Sequence, residues 1–493
     1  SIDINTAMDP AGDVMIAYYY NGERLEPDHG FPVRVIIPGW IGGRMVKWLK
    51  SVSVREAPSE NYYHFYDNRI MPPHVDAELA KKEGWWFKPE NLFNELNINS
   101  AIACPHHGEV VSLTPGNEFY SVRGYAYGGG GRKITRVEVS YDCGSTWNLC
   151  EVEYPELEHS YAPKANNKWW CWCFFSIEAP MLMLMQCKEL RCRAWDESSN
   201  LQPADLTWNL MGMGNNPHFR VEIHPVSLSS GGFGVRFVHP TMAGPVKDEE
   251  GKLVSGGWMG TPDAPRESLG VAEGLGRSAP LTVLGGIPAV IPLQPDAVAE
   301  EAKSDDQPKP DAWYNNGALP ITDVATAIDE RDKKTPDSWV PRHPDLIRLT
   351  GKHPFNCEPP LETLFHQGFI TPPSLHYVRN HGYCPKQSWD EHVISIDGVV
   401  DTPLTLTMAE LLAMPSLTIP VTLVCAGNRR KEQNMVKQTI GFNWGAAGHA
   451  TGFWTGVRLR DILMKAGYSQ SKARHVEFVG AEDLPNGKYG TSI

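Results

Sequence analysis

Between residues 102 and 245, apolar and polar positions alternate with a period of two. In "TRVEVSYDCGSTW", Val137, Val139 and Tyr141 alternate with Arg136, Glu138 and Ser140, and a turn follows over Asp142 to Ser145. "WWCWCFF" and "ELRCRAW" repeat the period. Short strands of this kind, separated by turn clusters, predict an all-β immunoglobulin-like sandwich. The glycine run of "YGGGGRK", residues 127 to 133, lacks both the Gly-Lys-Ser/Thr ending and the helical period of a phosphate loop, so it reads as a hairpin turn.

The flanks mix periods. "TLTMAELLAM" opens with a capping box from Thr407 to Glu410, and "GVRLRDILMKAG" has the spacing of an amphipathic helix stopped at Gly467. "GDVMIAYYYNG" and "FPVRVIIPG" read as strands, the first ending in an Asn-Gly turn. From 246 to 345 the chain is rich in proline, glycine and acidic residues with no sustained period, which predicts a linker, partly disordered. The expected organisation is thus an α+β unit in two parts, 1–101 and 346–493, a sandwich over 102–245, and a linker over 246–345.

Length and composition agree with this division. A chain of 493 residues exceeds one ordinary core, and its 16 tryptophans call for large buried aromatic clusters. The net charge of −13 leaves no general basic field for nucleic acid or an anionic membrane, so any anion site must be local. The ten cysteines form no C-x-x-C pair and no zinc spacing, and no apolar run is long enough to span a bilayer. These features predict a protein of the cytosol.

Local basic clusters do occur. "LVCAGNRRKEQN" sets Cys425 after an apolar run, with Arg429 and Arg430 close behind, and two guanidiniums would favour the thiolate, a nucleophile or a soft-metal ligand. A hydrolase would need a histidine, and His381, His29 and His449 are all open on spacing; a buried inert cysteine is the plain alternative. "HYVRNHG" gathers Arg379, Asn380 and His381, "PDHGFPVR" adds His29 and Arg34, and "GGRMVKWLK" adds Arg44, Lys47 and Lys50. In an acidic chain these clusters suggest a site for a phosphorylated or otherwise anionic ligand.

Taken together, "CAGNRR", "VRNHG", "DHGFPVR", "GGRMVKWL", "KYGTSI" and "WNLMGM" resemble the molybdenum domain of eukaryotic assimilatory nitrate reductases, of the sulfite oxidase family. The resemblance implies an α+β molybdopterin domain of sulfite oxidase type beside the sandwich. It implies a Mo-molybdopterin cofactor with Cys425 as the metal ligand. The pterin and its phosphate are assigned to Tyr377, Val378, Arg379, Asn380, His381, His29, Arg34, Met45, Val46 and Lys47, with Asp483 preferred to Glu482 as a further acid. Arg379, Arg430 and Trp444 are assigned to the substrate, nitrate, which gives up an oxygen atom to the metal and leaves as nitrite. Where sulfite oxidases carry an arginine and a tyrosine, this chain has Met211 and, nearby, Asn68; one positive charge fewer suits a monoanion. A sulfite-oxidising enzyme is the alternative.

The resemblance further implies a homodimer through the sandwich, and electron delivery by haem b and FAD domains whose signatures this sequence does not contain. Its segments run in an unusual order. In relatives the cysteine segment comes first and "YGTSI" continues into the "AMDP" region, so the arrangement here is that of a circular permutation, with the relatives' ends in or beside the linker, near "SGGWM" at 255–259.

Overall fold

The computed structural model describes residues 1–114, 116–158, 167–229, 231–247, 250–251, 253–260, 326–351 and 353–484. The middle of the expected linker and the "KYGTSI" motif lie outside these residues.

Both flanks of the sequence build the same two sheets. One runs in the order Ile2–Asp3, His475–Gly480, Leu49–Arg55, Val393–Gly398, Leu404–Thr407, antiparallel except where Leu49–Arg55 lies parallel to Val393–Gly398. The second runs Ser416–Val424, His449–Arg458, Met15–Tyr20, Glu23–Arg24, with Arg34–Ile36 also paired to Met15–Tyr20. Met15–Tyr20 and the half of Ser416–Val424 from Ile419 onward are apolar on both faces because both faces are covered. The predicted Asn-Gly turn is present, Asn21 and Gly22 both taking the positive φ that such a hairpin needs. The capping box of Thr407 and Glu410 is formed, and helix Leu459–Ala466 buries Leu459, Ile462, Leu463 and Ala466 before Gly467 ends it in the left-handed region.

The middle of the chain forms two antiparallel sheets around one core. Glu151–Glu153, Cys173–Pro180, Phe119–Tyr127 and Asn99–Cys104 make one. Asn148–Leu149, Ile134–Ser140, Glu189–Asp196, Phe219–Ser227, Phe233–Val238 and Val110–Ser112 make the other. Val137 and Val139 point inward as their alternation predicts, against Val122, Phe175 and Leu190.

Two expectations change. The glycine run is not a hairpin: it carries the chain from Phe119–Tyr127 in one sheet to Ile134–Ser140 in the other. It also lies against the first domain, Gly130 N donating to the Gly39 carbonyl at 3.2 Å, and a side chain at Gly129 would meet the Leu96 carbonyl oxygen at 1.7 Å. Residues 326–345, assigned by composition to the linker, are packed structure in which Asp332, Asp337 and Arg342 are buried. Among the described residues no helix is long and apolar enough to cross a membrane.

The two-sheet unit is fastened to the mixed sheets beside Cys425. Trp172 N donates to Thr422 Oγ1 at 2.8 Å, Trp170 Nε1 to Asp13 at 3.2 Å, and the Tyr125 hydroxyl to the Ala446 carbonyl at 2.6 Å.

Candidate functional site

Strand Ser416–Val424 delivers Cys425 into the interior, where it is 4% exposed. Its N–H donates to the Gly448 carbonyl at 2.9 Å, and Gly427 N–H approaches the sulfur at 3.4 Å. Burial pushes the thiol up, while Arg430, the Gly427 N–H and Arg379 pull it toward the thiolate and Asp67 opposes them. Burial prevails, so the expected activation by two arginines is not realised in the chain alone.

The two arginines have parted. Arg430, first residue of helix Arg430–Val436, is buried with Nε donating to the carbonyls of Met211 at 2.9 Å and Gly212 at 3.1 Å. A Cβ at Gly427 or Gly441 would come within 2.6 Å of its guanidinium, so those glycines make its space. Arg429 turns away with φ +64°. It forms a two-pronged pair with Glu432 at 2.8 and 2.9 Å and donates to Asn99 Oδ1 and the Pro217 carbonyl, both at 2.8 Å. It is an interdomain clamp, and its charge is spent on Glu432.

Arg379 comes from the short strand Val378–Arg379. Nη1 donates to the Asn380 carbonyl at 2.7 Å and to Asn356 Oδ1 at 3.3 Å. His381 Nε2 lies 2.9 Å from Arg379 Nη2 and 3.0 Å from Asp67 Oδ2. Burial raises Asp67, but His381 and Arg379 hold it ionised; burial keeps His381 neutral, down to about 4. Asn68 follows Asp67 with φ +52°, its Nδ2 donating to the Gly43 carbonyl at 3.4 Å and its buried Oδ1 without a hydrogen-bond partner. Trp444 is fully buried, its ring edge-on to Tyr377 at 5.9 Å and its Nε1 unpartnered. Met211 is buried beside Arg430.

A second group of cations lies on the other side of Asn380. Arg34 donates to the carbonyls of His29 at 3.1 Å and Met45 at 3.3 Å, leaving Nε without a partner, and burial lowers it to about 10. Lys47 Nζ donates to the Asp28 carbonyl at 2.7 Å and to the Asn380 side chain, and burial beside Arg34 pushes it down to about 7. His29 Nε2 lies 3.0 Å from the Pro373 carbonyl, burial keeping it neutral, down to about 4. His376, which sequence reading missed, lies 4.6 Å from His29 with Nε2 unpartnered. Tyr377, Val378, Met45 and Val46 wall the same region and are buried.

Asp483 is the exception. It is exposed and accepts from the Tyr383 hydroxyl at 2.9 Å, whereas Glu482 is 1% exposed and accepts from Gly382 N–H. The acid that reaches the "VRNHG" loop is therefore Glu482. Asp67 and Asp28, also missed, each precede a residue the motifs did single out, and adjacency was the available signal. Asn356 carries none.

These residues suit an anionic group that brings its own metal ligands. Arg34, Lys47, Arg379 and Arg430 converge with few free counter-charges, unpartnered donors remain on Arg34 and Trp444, and Cys425 is the thiol set among them. Among the described residues no three His, Cys, Asp or Glu side chains group to hold a metal ion by themselves.

Comparison with known proteins points the same way. Residues 1–63 and 381–493 match the oxidoreductase molybdopterin binding domain, and residues 90–226 match the Mo-co oxidoreductase dimerisation domain. The NADH nitrate reductases of Cichorium intybus and Petunia hybrida are 54% and 52% identical over 261 residues, 52% of this chain and 27% of theirs. The NAD(P)H nitrate reductase of Hordeum vulgare is 54% identical over 261 residues and 28% of its length. The chain thus spans about a quarter of the length of the curated relatives it matches.

Proposed function

We propose that this chain, which matches the molybdopterin binding and Mo-co dimerisation domain families, is the molybdenum domain of an assimilatory nitrate reductase, reducing nitrate to nitrite. The observation that carries the proposal is the pair of guanidiniums, Arg379 and Arg430, both acting on the buried thiol of Cys425. Cys425 ligates the metal of a Mo-molybdopterin cofactor, and the bound cofactor supplies two-electron oxygen-atom transfer.

The remaining tasks belong to the chain's own side chains. Because its Nε is held by the Met211 and Gly212 carbonyls, Arg430 offers Nη1 and Nη2 to an anion, and Arg379 offers a second cation across the site. Two fixed cations match nitrate; Met211 withholds the third that a dianion such as sulfite would favour. Trp444 and Met211 exclude water, and Asn68 keeps one amide oxygen without a hydrogen-bond partner. Arg34, Lys47, His29, Asn380 and the backbone of Met45, Val46 and 377–381 cradle the pterin and its phosphate, with Glu482 in the place first given to Asp483.

The two-sheet unit is read as an immunoglobulin-like sandwich through which the chain forms a homodimer, and the protein as cytoplasmic, its electrons coming from haem b and flavin domains like those of its relatives. The deciding measurement is molybdenum and pterin content together with dye-linked nitrate reduction and sulfite oxidation. The expected result is metal-dependent nitrate reduction that Cys425→Ser abolishes. Efficient sulfite oxidation with nitrate untouched, or full activity in Cys425→Ser, would overturn the proposal.

A further inference from the structure

Arg342 stands at the centre of a buried acidic cluster in the stretch that composition had assigned to a linker. Its Nε and Nη2 donate to the two oxygens of Asp28 at 2.8 and 3.0 Å, Nη1 to Asp332 at 2.6 Å, and Nη2 also to Asp337 at 2.8 Å. The guanidinium carbon lies over Phe355, 3.9 Å from the ring centre. Asp28 faces two ways. The Oδ1 that meets Arg342 also accepts from Asn380 Nδ2 at 3.0 Å, and the Asp28 carbonyl accepts from Lys47 Nζ at 2.7 Å. Lys47 closes the circuit by donating to Asn380 Oδ1. A continuous run of charge-assisted hydrogen bonds therefore leads from Arg342 to the two side chains nearest the middle of the cation group.

We propose that Arg342 is a positioning residue for the cofactor cradle: its fork holds Asp28, and through Asp28 it sets the Asn380 amide and, with it, the place of the Lys47 ammonium beside the anionic end of the pterin. The proposal rests on the molybdopterin reading of the site. Two physical consequences support it. With Nδ2 committed to Asp28, the Asn380 amide can face Lys47 only with its oxygen, which fixes two of the ammonium's three donors and leaves the third held only by the Arg379 carbonyl at 3.4 Å. A planar fork bound to both oxygens of Asp28 also neutralises a carboxylate that would otherwise compete with the ligand for Lys47. Asp28 is held ionised against its burial mainly by Arg342.

Arg348 provides an internal control. It bonds Asp332, approaches Asp329 at 3.3 Å and lies over the same Phe355 ring at 4.6 Å, with no bond to Asp28. Arg342→Lys keeps the charge and loses the fork, Asp28→Asn keeps the shape and loses the charge, and Arg348→Lys disturbs the same cluster away from the cradle. All are made in the full chain in a host that synthesises molybdopterin. Pterin and molybdenum per chain are read after dilution, beside the thermal midpoint. Arg342→Lys and Asp28→Asn should lose pterin about 10-fold faster than wild type, the scale of removing a supporting partner of a bound metal group. Arg348→Lys should lower the midpoint comparably and retain its pterin. Retention equal to wild type in the first two variants, or loss that follows the midpoint alone in all three, overturns the proposal. Wild-type protein without molybdenum or pterin would sink the cofactor reading beneath it, a different result.

Discussion

Arg429 and Arg430 are neighbours in sequence with opposite tasks, and their variants should fail in opposite ways. Arg430→Met removes a charge-assisted donor from the thiol face, about 1.5–3 kcal/mol, which corresponds to a rise of about 10- to 100-fold in KM for nitrate with little change in the thermal midpoint. Arg429→Met strands the buried Glu432 and should cost about 3 kcal/mol or more of stability while leaving KM near wild type in the protein that folds. Steady-state kinetics and thermal scans of both variants check this, and a KM effect confined to Arg429 would reverse the assignment. Lys47 adds a pH dependence. Its folded value is lowered to about 7, whereas the unfolded chain holds the proton to the ordinary lysine value of 10.5. Between those values the unfolded state binds more protons, so this group's contribution to stability rises with pH. Cofactor-free wild type should therefore gain in thermal midpoint from pH 7 to about pH 9 relative to Lys47→Met. An anion in the cradle raises the lysine again, so the loaded protein should show a smaller difference; an identical one would argue against Lys47 facing the anion.

At the level of elements, the connection through Gly128 to Gly131 is tightly constrained by its neighbours. Gly129 has the Leu96 carbonyl where a Cβ would be, a backbone obstacle that cannot rotate aside. Gly129→Ala should destabilise by about 3 kcal/mol or more, read by urea unfolding; a neutral effect would show that the 96 and 129 backbones separate freely. The sequence foretold that this stretch turns, but not what it joins, because glycine serves a hairpin and a crossing between sheets for the same steric reason. Strand Ile134–Ser140 was readable because one face is buried and one is wet, which writes a period of two. Residues 326–345 were misread for the converse reason: Asp332, Asp337 and Arg342 look like solvated charges until Asp28, some 300 positions away, supplies the pairing. Asp483 and Glu482 were indistinguishable in sequence for the same reason: it is the neighbouring "VRNHG" loop that draws Glu482 inward, by Gly382 N–H, while Asp483 meets the Tyr383 hydroxyl outside. The site was legible as motifs, whereas its supporting acids were visible only once folded.

The whole molecule is held together by strands that alternate between the two flanks of the sequence. Leu49–Arg55 lies between His475–Gly480 and Val393–Gly398, and Met15–Tyr20 lies beside His449–Arg458. Either flank alone would expose unpaired strand edges and apolar faces normally buried by the other. The cation group is divided in the same way: His29, Arg34 and Lys47 come from one flank, Arg379, Asn380, Cys425 and Arg430 from the other. The sheets shared by the two flanks contribute hydrogen bonds and a common core. Two separate chains, 1–260 and 326–493, should therefore aggregate when expressed alone and co-purify in equal amounts when expressed together. The paired chains should carry molybdenum and pterin as the single chain does, since every cradle residue is present once both are in place. Gel filtration with mass analysis of the eluted peak reads the outcome. A lone fragment that elutes as a folded monomer would show that one flank builds its sheets without the other, and the site would then be a joint between two independent bodies.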